Sequence, residues 1–461
     1  MPGAASSLKA TPPSAWSDLV EKTLLYSMSF SEFDMLSNPV VLLYAVSASD
    51  SDPLACLTEL MSKHHNPDCL SAGLYDADIQ RVCVLVHDSG AETACHVPTL
   101  FKQMQAAYSA RHTKMLTLNY FKPENANVQQ PDMWTRWMIP AYFDHLTPKA
   151  SSPALQDSRL VDPVTGKVRY GTLLSMDDLL ALRNFCVSLW QEELIPAIER
   201  RVSVLTRIVG ESRKGVKNVF KSFWRKPRED TGSEGGQVRY RHDRIEAQTL
   251  LLGDLSFVIQ DYENALQMYK LVKDDFKSDK SSVHLAHTCV MMALSLLKMD
   301  GPQTTSSRRK EIFACLDSLK EAIGTFTFNS GPLHSIAYYC LLGAEVYSQL
   351  SSQVSHGSSR CLYEAAHFML VAAPAVLRHP LLNALVVERA SLYFLQARHT
   401  RKFALYEIIA ANKFRKCGEK PRLHATACYA SIMLLLEGCH WGDMLVVLAK
   451  KLSDQLPYHV D

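Results

Sequence analysis

LLGDLSFVIQDYENALQMYKL (residues 251–271) carries the spacing that decides how the larger part of this chain folds. Ala265 follows Gly253 of the Leu252-Gly253 pair by twelve residues, and Tyr269 comes four residues later. These are the mutual spacings of the tetratricopeptide repeat, a pair of antiparallel helices. Small residues at 253 and 265 let two helices approach closely, and the tyrosine fills the gap to the next pair. Helical apolar periodicity continues through 283–298, 310–326, 333–350, 360–376, 381–397, 401–416 and 422–437, with polar joints such as SSQVSHGSS (351–359). Helical hairpins stacked in series make an α-solenoid rather than a compact bundle. The sequence therefore predicts a tetratricopeptide-like α-solenoid over 241–450.

Upstream, PREDTGSEGGQ (227–237) has the composition of a hinge, expected over 227–240. Before it, Ser175-Met-Asp-Asp178 offers a serine cap with an acid three residues on. A long apolar-periodic run follows from Leu179 to Val209, where Pro196 predicts a kink or a break. Residues 175–226 thus form a long helix plus a basic amphipathic helix, preceded by a Pro- and Ser-containing linker over 147–174. In 31–146 the pattern alternates between strand (39–49, 81–88, 114–121) and helix (54–65, 99–110). That alternation predicts an α/β domain with a parallel sheet of about three strands, short enough to need support from elsewhere. Residues 1–30 read as a disordered or poorly ordered lead-in without an apolar signal core. The expected fold class is α+β multidomain and mainly α: a small N-terminal α/β domain followed by the solenoid.

Composition excludes whole-chain electrostatic recognition. Lys+Arg number 49 and Asp+Glu 47 in 461 residues, a net charge of +2, so only local patches can attract an acidic partner. Twelve cysteines are scattered singly, without a CxxC pair, which predicts free, mostly buried thiols in a reducing compartment. Apolar stretches stop short of the ~20 residues of a membrane span, so membrane contact is expected to be peripheral.

No enzyme emerges from the motifs. GESRKGVK (210–217) approaches a P-loop, but Val216 stands where the phosphate-binding lysine belongs and no strand precedes it. The first βα connection is SASDSDP (47–53), with no GxGxxG and hence no nucleotide cradle or cofactor. His64-His65 with Cys69, and Cys439-His440, lack a second half at metal-ligand spacing. GxSxG is absent, and His87-Asp88 at a strand end remains as the one enzyme-like pair. The expectation is no catalytic residue, no metal and no cofactor.

RKGVKNVFKSFWRKPR (213–228) is the exception to the balanced charge. At helical pitch Val216, Val219, Phe220, Phe223 and Trp224 share one face, flanked by Lys214, Lys217, Lys221 and Arg225, with Lys226 beside them. Such a helix suits an anionic membrane surface, where aromatics enter the headgroup boundary and cations meet lipid charge. It equally suits packing on the solenoid with solvated lysines. Nucleic acid fits least, because the chain is neutral and has no second basic surface.

Several idiosyncratic stretches occur in order: VCVLVHD (82–88), PDMWTRWMI (131–139), LRNFCVSLWQEELIPAIERRVSVL (182–205), RKGVKNVFKSFWRK (213–226) and ALVVERASLYFLQARHTRKFALYEIIAANKFRKCGE (384–419). Through them the chain resembles the subunit 8 family of the transport protein particle (TRAPP) complex, the large subunit specific to TRAPP III. The likeness covers about 30–450, beginning inside the family's N-terminal region and ending before its C-terminal β-rich portion. The resemblance implies a non-catalytic scaffold and membrane-recruitment subunit of a tethering complex. Such a complex exchanges nucleotide on a Rab-family GTPase in ER-to-Golgi transport and autophagy, with the exchange site on the small core subunits. Its implied partners are the TRAPP core subunits, an anionic membrane and, indirectly, the Rab GTPase. Its implied location is cytoplasmic, peripheral on Golgi, ER-Golgi intermediate and pre-autophagosomal membranes. It also implies that the residues of 214–226 just named are the membrane anchor. Two other classes stay open from the residues alone: a helical-repeat adaptor for peptide partners, and an enzyme using the α/β unit near His87 and Asp88.

Overall fold

A computed structural model describes residues 33, 36, 40–62, 73–76, 79–89, 96–118, 176–213, 238–299, 305–328, 333–353, 357–377, 380–417, 419–437 and 442–453. The chain divides into two compact units. Among the described residues, one holds a sheet and a long helix together with Arg241–Gln248, and the other holds the helices from Thr249 onward.

The first unit is built on strands β1 (Val41–Ser47), β2 (Gln80–Asp88) and β3 (Thr113–Leu118), all parallel, in the order β1-β2-β3. Helices α1 (Pro53–Ser62) and α2 (Val97–Tyr108) make the two crossovers. Right-handed crossovers that step in one direction put both helices on the same face of the sheet. That face buries Tyr44, Val46, Cys83 and Leu85 against Leu57 of α1 and Val97 and Met104 of α2. The alternate residues of β2, Val82 and Val84, point the other way, as period two requires. They are covered by Leu189 and Phe185 of the long helical segment α3 (Met176–Ser188), π turn (Leu189–Leu194) and α4 (Ile195–Arg213). A three-stranded sheet that spends both helices on one face needs this third layer.

Pro196 does not end the helix. The helix widens just before it, and Ile195 N–H reaches back to the Trp190 carbonyl in a π turn. Widening there spares the proline ring its clash with the carbonyl four residues earlier, and the chain continues as α4.

α5 (Ile245–Val258), which belongs to the second unit from Thr249 on, and α6 (Tyr262–Ser278) form the hairpin that the 251–271 spacing predicts. A Cβ on Gly253 would stand 2.8 Å from Cε1 of Tyr269, so a hydrogen is what this contact requires at 253. Ala265 and Tyr269 are fully buried. The Tyr269 hydroxyl donates to Asp254 Oδ1 at 2.6 Å, and His287 Nε2 lies 3.0 Å from the same oxygen. All three side chains are buried, so the carboxylate ties α5, α6 and α7 (Ser282–Met299) through polar contacts that water does not compete for.

Helices α8 (Ser306–Phe328), α9 (Leu333–Gln353), α10 (Ser358–Ala375), α11 (Pro380–Gln396), α12 (Thr400–Phe414), α13 (Glu419–Glu437) and α14 (Gly442–Ser453) follow. From α6 on, helices pack chiefly on their sequence neighbours, which is solenoid order; α9 also reaches back to α7. α14 lies beyond the runs that periodicity picked out. Gly343 of α9 repeats the close-approach device: a Cβ there would meet Leu319 of α8 and Phe368 of α10 at 3.2 Å. By length and composition α7 is apolar enough to cross a membrane, contrary to the sequence reading. It is instead a core helix: the successive residues Cys289, Val290, Met291 and Met292 point to different sides and are all buried.

Three of the described joints share one closure. Gln260, Lys280 and Arg398 are left-handed, with φ of 68°, 57° and 62°. At each, the next residue's N–H bonds back five residues: Asp261 to Ser256, Ser281 to Phe276, and His399 to Phe394. This is the Schellman closure, and the residue that completes it immediately precedes or caps the next helix. Asp261, for example, accepts from Asn264 N–H at 3.1 Å. Two predictions follow for chemical denaturation of the full chain. Gly253→Ala lowers the stability of the second unit by about 1–3 kcal/mol through overpacking on Tyr269. Lys280→Gly raises it by about 0.5–1 kcal/mol, since glycine relieves left-handed strain at an entropic cost.

Candidate functional site

The residues expected to touch lipid (Lys214, Val216, Lys217, Val219, Phe220, Lys221, Phe223, Trp224, Arg225 and Lys226) lie outside the described residues. So do the metal groupings His64-His65-Cys69 and Cys439-His440. What is described is the support that leads to them: α4 ends at Arg213, one residue before Lys214. Gly210, Glu211 and Ser212 are helical within α4, whereas a phosphate cradle needs an open loop there. His87 and Asp88 close β2 in register with Thr117 and Leu118 of β3, as the sequence places them.

The support is held by a carboxylate in the π turn. Glu193 is fully buried and accepts from Gln80 Nε2 at 2.5 Å, and its Oε2 lies 2.7 Å from His112 Nδ1. Lys114 Nζ stands 3.6 Å from the other oxygen and also pairs with Glu192. The Lys114 hydrogen bond and charge hold the exposed Glu192 carboxyl below its ordinary value. About two turns on, Arg200 donates to the Gln80 side chain and Arg201 pairs with Asp76. The N-terminal ends of β2 and β3 thus reach the helix through side chains. Periodicity had no means of finding Glu193, because its partners lie 81 and 113 residues away.

The opposite side of the same helix is apolar and uncovered. Met176, Leu179, Leu180, Val187 and Trp190 are exposed, Met176 at 74% and Trp190 at 49%, while Leu189 and Phe185 face the sheet. Residues 176, 180, 187 and 190 fall on one stripe at helical pitch. Exposed apolar residues gathered on one side of a helix, here with exposed Arg183 between Leu180 and Val187, mark an interaction surface. Burial pushes the Cys289 thiol up to about 12 and the Cys315 thiol up to about 11, which leaves these two poorly suited as nucleophiles.

Glu193→Ala is expected to cost the first unit about 2–3 kcal/mol, because Gln80, His112 and Lys114 lose a shared buried acceptor. Hydrogen exchange of β2 and α3 checks this: both speed up in Glu193→Ala and recover in part in Glu193→Gln, which keeps one acceptor oxygen.

A family model described as the ER-Golgi trafficking TRAPP I complex 85 kDa subunit matches residues 3–365. Trafficking protein particle complex subunit 8 of Homo sapiens is 22% identical over 94% of this chain and 34% of its own length. Transport protein particle subunit trs85-1 of Schizosaccharomyces pombe is 20% identical over 60% of this chain and 46% of its own. The subunit 8 protein of Caenorhabditis elegans is 23% identical over 61% of this chain and 21% of its own. The chain therefore spans less than half the length of each of these relatives.

Proposed function

The chain belongs to the family of the 85 kDa TRAPP subunit, and from that premise we propose that it is a scaffold and membrane-recruitment subunit of a TRAPP III-like tethering complex. It carries no catalytic residue of its own in this reading. It works by position. Segment 214–226 anchors it peripherally to anionic Golgi, ER-Golgi intermediate and pre-autophagosomal membranes, and its folded units bind TRAPP core subunits. The core exchanges nucleotide on a lipidated Rab GTPase in ER-to-Golgi transport and autophagy. Confining both to one membrane raises their effective concentration without any new contact between them.

The observation that carries the reading is the junction at Arg213: a helix fastened to a sheet by buried Glu193 leads in sequence to segment 214–226, with five basic and three aromatic residues. A fastened helix transmits position from an anchor to the domain, which a loose tether does not. Each basic residue near an anionic leaflet contributes about 1 kcal/mol, and each aromatic side chain withdrawn from water about 1.5–3 kcal/mol. The exposed stripe of Met176, Leu180, Val187 and Trp190 supports a protein contact on the same helix.

Flotation with phosphatidylserine-containing liposomes tests the anchor. Wild type floats, replacement of Phe220, Phe223 and Trp224 by alanine reduces bound protein at least tenfold, and high salt weakens what remains. Equal flotation of both proteins sinks the anchor and leaves a peptide-binding helical adaptor as the better reading. For the protein contact, Val187→Asp with Trp190→Asp is expected to abolish co-purification of TRAPP core subunits with the tagged chain while leaving flotation intact. Undiminished recovery of those subunits rejects the stripe as their contact.

A further inference from the structure

Far from the long helix, three consecutive helices of the second unit bring unlike metal-binding groups to one point. Glu388 of α11 and His424 and Cys428 of α13 each offer one donor atom, and these atoms all lie within 4.8 Å of one another. His424 Nε2 is 2.5 Å from Glu388 Oε1, and Cys428 Sγ is 3.8 Å from the same oxygen. His424 and Cys428 stand four residues apart, the spacing that puts two ligands on one face of a helix. Glu407 of α12 accepts a hydrogen bond from Ser391 Oγ and lies beside the Cys428 thiol. The ring of Phe414 meets His424 edge-on at 4.8 Å and fixes its plane.

The charge balance of this cluster is unusual for a protein interior. Glu388 and Glu407 are 7% and 4% exposed, so two carboxyl groups sit out of water around one imidazole and one thiol. Buried carboxylates are costly unless paired or bound to a metal. The His424 side chain is 41% exposed, which opens the cluster to solvent on one edge and gives an ion a way in.

We propose that Glu388, His424 and Cys428 bind a divalent transition metal of the zinc type, with Glu407 or a water as fourth donor, clasping α11, α12 and α13 together. Sulfur, imidazole nitrogen and carboxylate oxygen together select zinc-like ions over calcium or magnesium, which take oxygen alone. Tetrahedral bonds of about 2.0–2.3 Å set ligand atoms roughly 3.3–3.8 Å apart. The sulfur–oxygen pair already stands at 3.8 Å, the nitrogen–oxygen pair at 2.5 Å needs to open by about 1 Å, and the nitrogen–sulfur pair, within 4.8 Å, needs to close by no more than about 1 Å. Binding exchanges the Cys428 thiol proton and the proton shared by His424 and Glu388 for the ion, so protons are released to solvent. The inference is independent of the membrane anchor.

Cobalt(II) titration of the metal-stripped full chain tests it. One equivalent is expected to give a thiolate-to-cobalt charge-transfer band that zinc displaces and that Cys428→Ser lacks. Should Cys428→Ser not fold, the partly exposed His424 decides. His424→Ala then weakens cobalt by more than the 10- to 100-fold that losing an outer hydrogen-bond partner costs. A band that persists in Cys428→Ser, or an unchanged affinity in folded His424→Ala, assigns the metal to other thiols and overturns the site.

Discussion

The approach of the Tyr269 ring to Gly253 is the contact on which the second unit's geometry rests. Its closeness lets α5 and α6 lie near enough for the tyrosine hydroxyl to reach Asp254, and for Asp254 to reach His287 on the next helix. Without it the carboxylate would be buried and short of donors, which costs several kcal/mol for a charged group. A bare hydrogen at one position thus makes a buried polar link across three helices affordable. Gly343 plays the same steric part between Leu319 and Phe368. The left-handed residues at 260, 280 and 398 then turn the chain in the fewest residues, so each helix starts against the one just finished.

The first unit depends on a different constraint, handedness. Parallel strands added in one direction with right-handed crossovers place both connecting helices on one face. The other face of β2 would be left in water, and the long helix supplies the missing layer through Leu189 and Phe185. Glu193 fixes where along the sheet that helix sits. The burden of covering the sheet takes one side of the helix and leaves Met176, Leu180 and Trp190 on the other. Support and exposed surface are therefore two consequences of one packing requirement.

Much of this was legible beforehand. Period two and continuous apolar runs located the three described strands to within three residues at each end, and helical periodicity located the helices of the solenoid as far as α13 but not α14. Both signals are local, carried by residues a turn or a pleat apart. Pro196 was legible as a perturbation but not as its outcome, because the choice between a break and a π turn depends on the tertiary packing that holds the helix together. The apolar run of α3 gave no sign that part of it faces outward, since periodicity counts apolar residues and does not say which stripe finds a partner. The basic aromatic segment 214–226 was found from sequence, and its role stands on chemistry and on family membership rather than on described geometry.

Amino-acid order alone settled the element types, the tetratricopeptide spacing of 252, 253, 265 and 269 and the place of the charge cluster, because each depends on neighbours within about twenty residues. Tertiary structure decided which groups meet. Glu193 found His112 and Gln80, Asp254 found His287, and Glu388 found His424 and Cys428, across 33 to 113 residues of chain. Such pairings follow from where whole helices and strands are laid down, and no local period encodes them.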